Sequence, residues 1–365
     1  MSEQEPGTLG ALGEFGLIAA LPRWLPPGPR ILVGIGDDAA VLQAPDGRVV
    51  ATTDFLLEGR HFRRDWSAAA DVGRKAAARS LADIAAMGAS PVALLVALAA
   101  PPDLPVGWVR ELAGGLAAEC ARAGASVAGG DTARAPQVLL AVTGLGDLAG
   151  RAPVLRAGAA PGDAVAVAGV LGHAAAGLAL LSAGLRDRPL AAAHLRPQPP
   201  YEAGPEAAAL GATAMIDVSD GLLADLGHVA DASGVLIDLD SAALRPADDL
   251  VAAARAVRAA GSDSRTAGGA PPPPGGPDPE VALQWVLSGG EDHAMAATFP
   301  PGTRLPPRWT VIGRVRPGRG VAVDGAPRPG PAGWDHFAAG GSPGTRCAGA
   351  GAARARGLSG RPCPP

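Results

Sequence analysis

Lysine is nearly absent from this 365-residue chain: Lys75 stands alone among 31 basic residues. A phosphate site built on several lysines is therefore excluded, and no P-loop ending in Gly-Lys-Ser or Gly-Lys-Thr occurs. Aromatic residues make up only 3% of the sequence, so a core must be assembled mainly from Ala, Val, Leu and Ile. Cysteine is scarce as well. Cys120 falls in an expected helix, Cys347 and Cys363 fall in a Gly/Pro/Arg-rich tail, and no pair has metal-ligand spacing. Long apolar runs are missing: Pro91 to Ala100 is too short for a bilayer span of roughly 20 residues. The N-terminal stretch lacks a basic segment and is broken by Gly and Glu14, unlike a secretory signal. A cytoplasmic protein with no membrane partner is expected. The net charge of −4 leaves no electrostatic footprint for nucleic acid. The nucleophile elbow, the HExxH zinc helix and the kinase HRD signature are also absent. Gly34-Ile35-Gly36 lacks the third glycine of a dinucleotide fingerprint and runs straight into acid.

Short acidic motifs flanked by small residues are abundant instead. They are GIGDDAAVL with Asp37 and Asp38, ATTDF with Asp54, SLADIAAMGA with Asp83, GGDT with Asp131, and DVSDG with Asp217 and Asp220. Carboxylates embedded in apolar sequence lose hydration when the chain folds, and need cations or donors around them. With one lysine available, divalent metal is the natural counter-charge. Oxygen-rich sites of this kind suit Mg²⁺, which takes one or two carboxylates, waters and substrate phosphate oxygens.

Length and a hydrophobic content of 48% predict two domains. The first half alternates strands with helices. Ala39 to Gln43 and Val49 to Thr53 flank the turn signal Pro45-Asp46-Gly47 and predict a hairpin, with Thr52, Thr53 and Asp54 at its end. Val72 to Met87 is expected to be a helix with Lys75 and Asp83 on one face, followed by a buried strand from Val92. Val106 to Arg122 is a second helix, and Val127 a short strand leading into Gly129-Gly130-Asp131. The pattern breaks at Arg151 to Asp163, giving domains at 1–148 and 149–337. In the second, Ala214 to Val218 is a strand running into Ser219-Asp220-Gly221 and a helix from Leu222. The Pro-rich segment 261–279 is expected to be a disordered insertion, and 338–365 a disordered tail.

Each motif also has a plainer reading. Asp37-Asp38 and Thr52-Thr53-Asp54 fit turns or caps as well as ligands. Asp83 fits a solvated helix face or a pair with Lys75. Gly129 and Gly130 admit close approach of phosphate but form a weak motif alone. Capping accounts for Ser219 and Asp220, yet leaves Asp217 unexplained at the end of an apolar strand. Leu287 to Asp292 is a further Gly-rich acidic turn; Arg156, His61 and Trp334 are isolated candidates for holding substrate or simply packing.

Taken in order, GEFGLI, GIGDDAAVL, ATTDFLLEGRHF, RSLADIAAMGASP, GGDTAR, RAGAAPGD, HLRP, IDVSDGLLADLGH, LSGGEDH and GWDHF resemble the thiamine-monophosphate kinase family from Gly13 to Phe337. The resemblance implies the two-domain α/β (α+β) fold of the aminoimidazole ribonucleotide synthetase superfamily. Its N-terminal mixed sheet binds ATP and pairs in a homodimer. It also implies ATP-dependent phosphorylation of thiamine monophosphate. The metal ligands for several Mg²⁺ ions would be Asp38, Thr52, Thr53, Asp54, Asp83, Asp131, Asp217 and Asp220. Gly130, Asp131, Arg156 and Ser219 would contact nucleotide, and His61, Glu291 and Trp334 would hold thiamine phosphate. No general base is implied. The chain departs from the family at His293-Ala294, where the pattern GGEDYEL has an aromatic and a carboxylate. Related superfamily enzymes fit less well: a selenophosphate synthetase needs a reactive residue far upstream of Cys120, and a hydrogenase-maturation protein needs an ordered C-terminal cysteine. A metal-binding protein without catalysis is the reading from another class.

Overall fold

The computed structural model describes residues 7–35, 39–263, 276–327 and 333. The expected tail 338–365 and the sites at Asp37, Asp38 and Trp334 lie outside them. The N-terminal half begins with α1 (Leu9–Leu12), α2 (Glu14–Trp24), β1 (Ile31–Val33) and β2 (Val41–Leu42). It continues with β3 (Val50–Leu57), α3 (Ala69–Ala86), β4 (Ser90–Ala100), α4 (Val106–Arg122), β5 (Ser126–Arg134) and β6 (Leu139–Asp147). Its main sheet has the order β3-β6-β4-β5, with β4 and β5 parallel across the α4 crossover.

The predicted hairpin from Ala39 to Thr53 does not form. β2 pairs with β1, while all eight residues of β3 pair with β6, from Val50 opposite Gly146 to Leu57 opposite Leu139. An eight-residue partner satisfies far more backbone groups than two-residue β2 offers. Thr52, Thr53 and Asp54 therefore sit mid-strand, not at a strand end, and Gly129 to Asp131 likewise lie inside β5.

The C-terminal half contains β7 (Ala164–Ala168), α5 (His173–Ser182), α6 (Ala191–Leu195), α7 (Ala203–Ala209), β8 (Ala214–Val218) and α8 (Leu222–Ser233). It closes with β9 (Leu236–Leu239), α9 (Asp248–Asp263), α10 (Asp278–Ser288), β10 (Ala294–Phe299), β11 (Trp309–Arg316) and β12 (Gly320–Val323). The six strands run β12-β9-β11-β7-β10-β8, antiparallel except for β12 with β9. The expected insertion 261–279 is narrower than predicted, since α9 runs to Asp263 and α10 starts at Asp278. Residues 264–275 lie outside the described set.

α3 belongs to both halves. Val72, Ala76 and Leu81 pack with Leu94, Leu98 and Leu140 of the first sheet. Ala82, Ala85 and Ala86 pack with Met215, Met295 and Phe299 of the second. A helix packed against both sheets needs small apolar residues on both of those faces, which explains its alanine content. Small residues also let backbones touch. A Cβ at Gly73 would strike the Leu112 carbonyl of α4, and one at Gly115 the Ala70 carbonyl of α3. Gly114, one position earlier on α4, faces open space. Gly73→Ala is expected to lower stability by about 1–3 kcal/mol through overpacking. Gly114→Ala is expected to raise it by ~0.5–1 kcal/mol by relieving a helical glycine. Urea unfolding of the two variants against the parent chain measures this opposition of sign.

Candidate active site at the domain junction

The helical repeat places Lys75, Arg79 and Asp83 at successive four-residue steps, so they form one stripe of α3. β3 runs alongside, and its pleat turns Thr52 and Asp54 to the helix. Thr52 Oγ1 donates to Asp83 Oδ2 at 2.6 Å, and Ser80 Oγ donates to Asp54 Oδ2 at 2.9 Å. Thr53 points to the opposite face, where its hydroxyl lies 3.2 Å from that of Thr143. The second half contributes the end of β8 and the turn before β10. Asp217 is buried there, with His293 Nδ1 at 3.0 Å from its Oδ2.

The turn is tightly built. Glu291 N–H donates to the Ser219 carbonyl at 2.8 Å and His293 N–H to that of Val218 at 2.9 Å. Glu291 and His293 both adopt positive φ, 70° and 53°, a conformation that non-glycine residues hold only when their surroundings enforce it. Asp292 supplies part of that enforcement by accepting from Gly172 N at 2.5 Å and Ala174 N at 2.8 Å, which caps α5 from outside its own sequence. Glu291 is then gripped from α3: Arg79 binds Oε1 and Lys75 Nζ lies 2.9 Å from Oε2. Lys75 also meets His194 Nε2 at 3.3 Å.

Simple capping does not account for Ser219 and Asp220. The start of α8 is satisfied by Asp225, whose Oδ2 accepts from Asp220 N at 3.1 Å and Gly221 N at 2.9 Å.

The electrostatics follow from burial. Burial, followed by the charges of Asp217 and Asp54, pushes the Asp83 carboxyl up to about 7. Burial, with Asp217 next, raises Asp225 to about 7. Burial works against charging His293, but its bond to Asp217 outweighs that cost and holds the imidazole above its ordinary value. Burial likewise opposes the Glu291 charge, yet Lys75 and Arg79 keep it well below the usual carboxylate range. His194 is driven down to about 3 by burial and the adjacent Lys75, so it faces the ammonium as a neutral ring. Arg79, Lys75 and Glu291 thus neutralise one side of the junction. Asp54, Asp83 and Asp217 repel one another on the other.

Several expected site residues are not brought to this group. Gly130 and Asp131 lie on β5, three strands from β3 and therefore roughly 14 Å across the sheet. Asp131 instead accepts from Thr132 N at 2.8 Å. Arg156 is exposed, and its carbonyl accepts from Ser233 Oγ. Ser219 stands at the other end of α8, roughly 18 Å away along the helix. His61 Nδ1 accepts from Leu57 N at 3.0 Å, beyond the far end of β3 from Thr52. Gly333 packs against the Asp220 carbonyl and Ala224, which brings the chain to the site just before Trp334. A cavity of about 780 Å³ lies between α2, α4 and the first sheet, with Gly130 and Asp131 among its lining residues. It is mainly apolar, so the charged junction, not the volume, marks the chemistry. Arg79 and His194 were missed from sequence; the Lys75-Arg79-Asp83 spacing was the available signal for the first.

Comparison with known proteins bears on the family. Residues 36–148 match the family model for the AIR synthase related protein, N-terminal domain. A thiamine-monophosphate kinase of Mycobacterium tuberculosis is 48% identical over 336 residues, covering 91% of this chain and 94% of the relative. The chain belongs to the thiamine-monophosphate kinase family. A family crystal structure from Stenotrophomonas maltophilia is 34% identical with a TM-score of 0.70, covering 86% of this chain and 97% of that one. A second, described as AaThiL complexed with AMPPCP and TMP, is 33% identical with a TM-score of 0.69, covering 89% and 97%. The two-domain α/β fold expected from the family motifs is thereby established.

Asp83 carries the clearest consequence. Its folded pKa lies above its unfolded value, so ionising it costs stability; the cost is absent below about 3.8, grows as pH rises and is complete above about 7. Without divalent cations, Asp83→Asn is expected to melt a few degrees higher than the parent at pH 8, with the gap closing toward pH 4. Thermal unfolding in a chelating buffer at both pH values measures it.

Proposed function

We propose that this family member transfers the γ-phosphoryl group of ATP to the phosphate of thiamine monophosphate, giving thiamine diphosphate and ADP. The observation carrying the site assignment is the meeting of Asp54, Asp83 and Asp217 from three elements at the domain junction. Burial, with the charges of Asp217 and Asp54, raises the proton affinity of Asp83, which signals missing positive charge. Among the described residues, no three His, Cys, Asp or Glu side chains form a ready-made metal cage. Mg²⁺ does not need one, because it commonly binds through one or two carboxylates plus waters and phosphate oxygens. The hard oxygen donors of Thr52, Asp54, Asp83, Asp217 and Asp220 fit that ion, and Asp38 is assigned with them. When bound, it supplies charge neutralisation between two anionic reactants.

The chain's own residues position the partners. Ser219 and Asp220, at the end of β8, are assigned to the reacting phosphates. His61 and Trp334 hold the organic part of the acceptor. Glu291 has both oxygens on Lys75 and Arg79 and is assigned to holding the domains together, not to substrate. The Thr53 hydroxyl, Gly130, Asp131 and Arg156 stay outside the cluster within one chain. The acceptor phosphate is already ionised near neutrality, so no general base is assigned.

We further propose a homodimer. Ala51, Thr53 and Phe55 lie on the face of β3 turned away from α3, with Phe55 59% exposed. A second copy laid over this face would cover it. The compartment proposed is the cytoplasm; among the described residues no helix is long and apolar enough to cross a membrane.

Asp217→Asn and Asp220→Asn are each expected to cut acceptor-dependent ADP release by about 100-fold or more while keeping a cooperative melt. ADP release that does not respond to thiamine monophosphate in the parent chain would mark a protein without this activity. Phe55→Arg is expected to shift the protein from dimer to monomer in sedimentation velocity; an unchanged sedimentation coefficient counts against the proposed face.

A further inference from the structure

Arg79 is the one described cation that touches both sides of the junction. Its NH1 is bound to Glu291 and its NH2 lies 3.7 Å from Asp54 Oδ1. The side chain is 12% exposed, and its Nε is buried with no hydrogen-bond partner. A guanidinium has a fork of five donors suited to planar pairing with a carboxylate or phosphate. Here one end of the fork, NH1, is held by Glu291, and the longer second contact leaves Asp54 shared between Arg79 and Ser80. The positive charge therefore sits at the rim of the acidic group without satisfying it.

We infer that Arg79 is a resident counter-cation that competes with divalent metal for Asp54 and so sets how tightly the empty junction takes up Mg²⁺. This rests on the metal reading given above. The charge opposes an arriving dication by direct repulsion, and it stands 3.7 Å from an Asp54 oxygen. Together with His293 on Asp217, it supplies part of the counter-charge of Asp54, Asp83 and Asp217 in the free enzyme. Arg79 acts through Asp54 and is a positioning residue: removing it strengthens cation binding, the reverse of what structural damage does. A phosphate clamp would behave differently, since its loss leaves metal uptake alone and weakens nucleotide binding.

The test uses full-length protein without nucleotide and Mn²⁺ as the paramagnetic probe, with Mg²⁺ competing. Arg79→Gln removes the charge, Arg79→Lys retains it, and Arg79→Met replaces Gln if that variant fails to melt cooperatively. The expected result is Mn²⁺ affinity raised on the order of tenfold in Arg79→Gln and near parental in Arg79→Lys. Unchanged or weakened affinity in a folded Arg79→Gln, while the parent binds and Asp217→Asn does not, overturns the inference alone. A raised KM for ATP with unaltered Mn²⁺ affinity overturns it in favour of a phosphate clamp. Failure of the parent and Arg79→Gln alike to take up Mn²⁺ overturns the metal reading and this inference together.

Discussion

The structure depends on one helix being shared by two sheets. α3 is solvated along little of its length, so its few polar side chains have no water to fall back on and must be matched across the junction. The matching is asymmetric along its axis. Lys75 and Arg79, on the earlier turns, find Glu291; Asp83, two turns past Lys75, finds a threonine hydroxyl and two further carboxylates. Positive charge thus fastens the domains, and negative charge collects where they open.

That asymmetry explains why the acidic side is costly to the empty protein. Fully paired, buried charge need not help stability, but leaving it unpaired is strongly unfavourable. Asp83, Asp225 and Asp292 all have carboxyls raised to about 7, each chiefly by burial. The last two are offset by backbone N–H donors at the starts of α8 and α5, which gives them a structural duty. Asp83 accepts from the Thr52 hydroxyl and lies beside two repelling carboxylates. A residue held at such a disadvantage belongs to function before it belongs to folding.

Much of the local structure was legible in the sequence. The limits of Val106–Arg122 and Ala214–Val218 coincide with expectation, because periodicity and flanking turn residues are local signals. Pairing over distance was not. The partner of β3 lies about 90 positions later, and nothing in Val49 to Thr53 distinguishes it from a hairpin arm. α2 carries Pro22 in its interior and α9 was not foreseen. Within the site, Asp54, Asp83 and Asp217 were singled out correctly as neighbours, since carboxylates in apolar sequence demand explanation. Thr53 failed through strand alternation once it moved to mid-strand. Asp131 and Arg156 lie away from that group within one chain, since membership of one motif series does not report which edge of a sheet, or which end of a helix, a residue occupies.

The burial of Lys75 has a separate consequence. The chain's single ε-amine is 2% exposed and wedged between Glu291 and a neutral imidazole. Reagents that acylate lysine therefore find no side-chain target while the halves are seated on α3. Acylation at that position becomes a count of how often the two halves part, read by mass spectrometry on a protein that needs no engineered label.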